Sequence, residues 1–125
     1  MSNEEYRKAF YAILERVVFC SEKGRREGLL VLEESLDSEK ADNRDIFEYG
    51  LRLVVDGTDG ELIDRILSNI IRQEKDEHQL VLKTIQKEAV LAMQEGMNPR
   101  LLVCLVNSHT DIPLSDPVFK KILED

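Results

Sequence analysis

Apolar residues recur at intervals of three and four along most of the chain. Ser2 and Glu5 form a capping box, and Tyr6, Phe10, Ile13, Leu14, Val17 and Val18 then repeat at helical spacing. Gly24 and Gly28 fall one turn apart. Each costs about 1 kcal/mol relative to Ala inside a helix. We read the pair as a small-residue stripe where another helix packs closely, rather than as a break. Leu29, Leu32 and Leu36 continue the apolar face, and the polar residues Asp37 to Asn43 read as a loop.

A second helix is expected from Asp45 to Val55, with Ile46, Phe47, Leu51, Val54 and Val55 on one face. A third begins near Asp59, with a stripe of Leu62, Ile63, Ile66, Leu67, Ile70 and Ile71. Arg72 to Gln79 is polar, and the pattern resumes at Leu80, Val81, Ile85, Ala89 and Ala92. Two arrangements fit: one long helix over residues 59–95 with a solvated middle turn, or two helices with a kink. In the long form, the two apolar ends need separate partners, which favours a homodimer or a swapped arrangement.

Gly96 suits a helix C′ position, and Asn98-Pro99 caps a helix carrying Leu101, Leu102, Leu105 and Val106. Asn107 to Ser115 reads as a loop, and Asp116-Pro117 opens a last short helix with Val118, Phe119, Ile122 and Leu123. No segment alternates with period two. The expected fold is all-α, a small helical bundle in a single domain over residues 1–125. Its expected core includes Leu29, Leu32, Leu51, Val54, Leu62, Ile66, Ile70, Ile85 and Leu102.

Charge narrows the partners. Seventeen basic against 25 acidic residues give −8, which disfavours nucleic acid and anionic membrane surfaces. The longest apolar run, Leu101 to Val106, is far short of the about 20 residues a membrane span needs. No signal peptide is expected, because Asn3 to Lys8 is charged and no apolar stretch follows. Cys20 and Cys104 both lie in apolar stretches and read as buried free thiols in a reducing, cytoplasmic setting.

Tests for chemistry fail one by one. Asp56-Gly57-Thr58-Asp59-Gly60 has Leu67 where a calcium loop counted from Asp56 needs its bidentate Glu, and Glu61 where a phosphate loop needs Lys. It reads instead as a helix joint: Gly57 ends one helix, Thr58 caps the next, and Glu61 completes a capping box. Glu74 to His78 lacks a second zinc-site His and reads as a solvated charged turn. Ser108-His109-Thr110-Asp111 holds the letters of a triad, but adjacent residues do not converge as a triad requires. No enzyme, cofactor or metal is expected. Arg25, Arg26 and Glu27 with Glu33 and Glu34 form the densest charge cluster. On one continuous helix, Arg25 and Glu33 lie about 80° apart around the axis and about two turns along it.

Two stretches, "GRREGLLVLEE" (24–34) and "GLRLVVDGTDGELIDRIL" (50–67), resemble the cytoplasmic loop of MotA, the A subunit of the flagellar stator in the MotA/TolQ/ExbB proton channel family. "EAVLAMQEGMNPRLL" (88–102) resembles the cytoplasmic tail of the same family, in the family's order. That family has membrane helices before the loop and between loop and tail. Here an amphipathic N-terminal helix stands in place of the first pair, and around Arg72 to Lys87 the loop runs into the tail. Gly60 stands where the family often has Pro.

The resemblance implies a MotA-like motility protein that acts by protein–protein contact without membrane insertion or ion conduction. In the family, an Arg and a Glu of the loop meet opposite charges on the rotor switch protein FliG. Arg25 and Glu33 match them by position, with Arg26 and Glu34 beside them. The other expectation is a scaffold or self-associating protein that kept the fold and lost the rotor contact.

Overall fold

The computed structural model describes residues 1–36 and 44–124; the loop expected at Asp37 to Asn43 lies outside them. Helix α1 (Asn3–Glu27) starts as its sequence requires: Ser2 Oγ accepts the Glu5 amide at 3.1 Å and donates to Glu5 Oε1 at 3.0 Å. Its inner face holds Phe10, Leu14, Val17, Cys20, Ser21 and Gly24.

Gly28 then ends the helix. Its φ of 91° with ψ of 152° is a conformation open to glycine and strained for other residues. The expected small-residue stripe is therefore half right: Gly24 takes close packing, while Gly28 is a break. Beyond it, Leu29–Ser35 forms a 3-10 segment, η1, which returns along α1 and also packs on the second helix.

Helix α2 (Ile46–Val55) is capped by Asp45, whose carboxylate accepts the Glu48 amide at 3.1 Å. It ends in a Schellman motif in which the amides of Gly57 and Thr58 donate to the carbonyls of Val54 and Leu53. Helix α3 (Gly60–Ile71) follows. The long helix over residues 59–95 does not form. After α3 the chain breaks, Glu74 Oε2 accepts the amides of Lys75 and Asp76, and Asp76 caps α4 (Glu77–Gln94). The polar run from Arg72 gives up a few helical bonds but supplies its own cap. The break lets α3 and α4 pack on each other within one chain, which removes the reason the long helix gave for a dimer. Gly96, at φ 77°, closes α4 with a second Schellman pair, Gly96 to Met93 and Met97 to Ala92. Asn98 caps α5 (Pro99–Asn107), and α6 (Pro117–Glu124) completes the all-α fold.

Helix α4 is the hub, contacting α1, α2, α3 and α5. Its approach to α2 is closest at Gly50, where a methyl group would fall 2.9 Å from Val90 Cγ2 and 3.2 Å from Leu67 Cδ1. Phe119 of α6 meets Phe10 edge-to-face at 6.0 Å. Leu32, Leu51, Val54, Ile85 and Leu102 are buried as expected, and Leu29 and Ile70 pack against the core while partly exposed. Leu62 is not core: it is 47% exposed, and Ile66 is half-buried. The apolar residues of α3 cover one wide arc, so periodicity alone does not select which line within it is buried. The packed structure selects Ile63, Leu67 and Ile71. Each such side chain contributes about 1.5–3 kcal/mol on burial. Among the described residues, no helix is long and apolar enough to cross a membrane.

Candidate partner-binding surface

The charge cluster is divided by the Gly28 break. Arg25 and Arg26 sit in the last turn of α1, where cations complement the negative end of the helix dipole. Glu33 and Glu34 sit on η1. All four side chains are exposed. The spacing computed for a continuous helix therefore does not apply. The acidic pair is positioned by how η1 folds back.

That fold is fixed by apolar anchors. Leu32 is 1% exposed, and a methyl on Gly24 would lie 3.1 Å from Leu29 Cδ2 and 3.6 Å from Leu32 Cδ1. The absence of a side chain at Gly24 thus leaves the room in which η1 closes on α1. Among the described residues, Arg25, Arg26, Glu33 and Glu34 form no ion pair or hydrogen bond through their side chains. Some charges elsewhere are paired. Arg16 pairs with Asp45 at 3.3 Å, and its guanidinium lies 4.8 Å from the Phe47 ring centre. Lys83 pairs with Glu74 at 2.8 Å and Lys87 with Asp64 at 2.9 Å. Lys87 holds the Asp64 carboxyl below its ordinary pKa, mainly by hydrogen bonding, and Lys83 does the same for Glu74.

The joint between α2 and α3 is a helix joint, with one correction. Asp59, not Thr58, is the N-cap, and its carboxylate accepts the Glu61 amide at 3.2 Å. Thr58 instead completes the Schellman motif, and its carbonyl accepts Gln94 Nε2 of α4 at 2.8 Å. Gln94 also contacts the start of α3: a methyl on Gly60 would fall 2.7 Å from Gln94 Oε1. On its other side, Gln94 lines a cleft of about 120 Å³ with Ser21, Gly24, Arg25, Leu29, Met93, Gly96 and Met97. The stretches 24–34, 50–67 and 88–102, far apart in sequence, thus meet around one glutamine. Sequence reasoning did not place Met93, Gln94 or Met97 beside Arg25, because no spacing rule links residues that far apart in the chain.

Other candidate centres resolve into structure. His109 pairs with Glu88 of α4, while Ser108 Oγ donates back to the Leu105 carbonyl at 2.5 Å, so Ser108 and His109 are not aligned as nucleophile and base. His78 lies 3.0 Å from the Met1 carbonyl oxygen through Nδ1 and stacks on Tyr6 at 4.5 Å. Cys20 is buried, and burial pushes its thiol pKa up. Cys104 is exposed, against expectation: α5 buries Leu102, Val103 and Val106, which turns Leu101 and Cys104 outward. Among the described residues, no group of His, Cys, Asp or Glu is arranged to hold a metal ion.

No protein-family profile matches the chain, and no solved structure matches it. Three curated proteins do. The chain is 36% identical to Motility protein A of Borreliella burgdorferi over 111 residues, covering 85% of this chain and 42% of that protein. It is 35% identical to Motility protein A of Treponema pallidum and 36% identical to that of Treponema phagedenis, each over 85 residues, 68% of this chain and 32% of the relative. The chain therefore spans less than half the length of the curated relatives it matches. Over most of its own length, this chain is similar to Motility protein A.

Proposed function

We propose that this chain is a MotA-like motility protein that works by protein–protein contact at the flagellar motor, with Arg25, Arg26, Glu33 and Glu34 as contact residues and the rotor switch protein FliG as partner. The observation that carries the reading is the combination of 36% identity over 85% of the chain with an exposed and unpaired charge quartet on the matching stretch. Solvated charges of both signs, held on a helix end and an anchored 3-10 segment, give orientation and association rate more than affinity. The contact is non-enzymatic and conducts no ions.

Binding of the protein to the C-terminal domain of FliG at low salt tests this. Wild type is expected to bind, and Arg25→Glu and Glu33→Lys are each expected to weaken binding about tenfold, about 1.4 kcal/mol. Raised salt is expected to act in the same direction. Binding that is absent, or unchanged by both reversals, overturns the reading.

A self-associating scaffold is the second reading. It is favoured by Leu30, Leu101 and Phe19, which are 70%, 61% and 60% exposed. Concentration-dependent mass by light scattering, lost in Leu30→Ser or Leu101→Ser, would select it.

A further inference from the structure

The cleft beside Arg25 is built mainly from apolar groups: Gly24 of α1, Leu29 of η1, and Met93 and Met97 flanking the α4–α5 turn. Its volume is about 120 Å³, and an apolar cavity of about 150 Å³ holds a benzene molecule. It is therefore sized for one aliphatic side chain. Its walls offer water few hydrogen-bonding partners, so an apolar occupant is favoured over solvent. At its rim stands Arg25, exposed and without an ion pair among the described residues.

We infer that this cleft is an anchor pocket for a protein partner, taking one aliphatic side chain of a partner segment whose neighbouring carboxylate pairs with Arg25. The occupant is fixed by charge complementarity. A basic segment meets the like charge of Arg25 at the rim, whereas an acidic one pairs with it. An anchor in a pocket with charges at its edge is the common form of a localised contact. The inference rests on the contact reading above, and it extends the surface from residues 25–34 to the α4–α5 turn.

The chain has three methionines. Met93 and Met97 line the cleft, whereas the amino group of Met1 pairs with Asp76, outside the cleft lining. Labelling the methionine methyl groups with carbon-13 therefore gives two reporters and an internal control. The probes are three capped peptides: acetyl-Asp-Leu-Asp-amide, acetyl-Asp-Ala-Asp-amide and acetyl-Lys-Leu-Lys-amide. The first is expected to shift the Met93 and Met97 methyl signals saturably and leave Met1 in place. The Ala and Lys peptides are expected to bind more weakly, and Arg25→Gln to weaken the first about threefold. Ser21→Leu, which fills the cleft from α1, is expected to abolish the shifts. Equal shifts with all three peptides, or none with the first, overturn the inference. So do methyl shifts that follow protein concentration without peptide, which would mark a second copy as occupant. Because these probes contain no FliG, the two readings fail separately. FliG binding sensitive to Arg25→Glu with still methionine methyls removes the pocket alone. Methyl shifts with no FliG binding remove the partner alone.

Discussion

The side-chain amide of Gln94, the last residue of α4, donates to the Thr58 carbonyl at the α2–α3 joint at 2.8 Å. This bond ties the end of one helix to the turn between two others, and the Arg25 cleft opens on the same glutamine. Gln94→Ala removes it and leaves the Thr58 carbonyl without that partner. The expected loss is about 1 kcal/mol, or roughly 4 °C in Tm for a domain of this size. Thermal unfolding by circular dichroism checks it. An unchanged Tm would mean that solvent replaces the bond.

Gly28 and Gly57 both have positive φ, 91° and 81°, but they do different work. Gly57 ends α2 in a Schellman turn, a left-handed conformation that costs Ala about 1 kcal/mol. Gly28, with ψ of 152°, sits where other residues pay about 1–3 kcal/mol. Gly28→Ala is therefore expected to destabilise more than Gly57→Ala, as read by chemical denaturation. Equal effects would show that η1 adjusts freely.

Gly50 leaves room for Val90. Gly50→Ala is expected to cost about 1–3 kcal/mol by overpacking. Combining it with Val90→Ala should recover part of that loss, giving a coupling of about 0.5 kcal/mol or more in a double-mutant cycle. Strict additivity would place the strain elsewhere.

Lys87 holds Asp64 below its ordinary pKa. A carboxyl with a lowered folded pKa binds fewer protons when folded, so stability rises with pH across that range. The contribution is fully present above the ordinary Asp value and is lost as pH falls through the folded one. Lys87→Met is expected to lower Tm at pH 6, and the gap is expected to shrink as pH falls below the ordinary Asp value and through the lowered one. A Tm gap that persists in acid would assign the effect to Lys87 packing instead.

Cys104 is exposed and Cys20 is buried with a raised thiol pKa. A thiol reagent should modify one cysteine in the native protein and both after denaturation. Protection of Cys104 in the purified protein would show that α5 is covered.

Much of this molecule was legible in the sequence because its decisive signals are local. Ser2, Asp45, Asn98 and Asp116 mark helix starts, and Gly57 and Gly96 mark helix ends, through bonds that reach only a few residues. The motifs that resemble the stator family, and the charges of Arg25 and Glu33, are likewise local facts. What tertiary structure decided was choice among locally equivalent options. Gly28 fits a helix stripe or a helix end, and the return of Leu32 into the core makes it an end. Helix α3 offers more than one apolar line, and packing selects Ile63, Leu67 and Ile71 over Leu62. The polar run from Arg72 suits a solvated helix or a turn, and the gain from packing α3 on α4 makes it a turn. The meeting of Arg25, Gln94 and Thr58 belongs wholly to the packed state, because burial of apolar surface brings together residues that no periodicity connects.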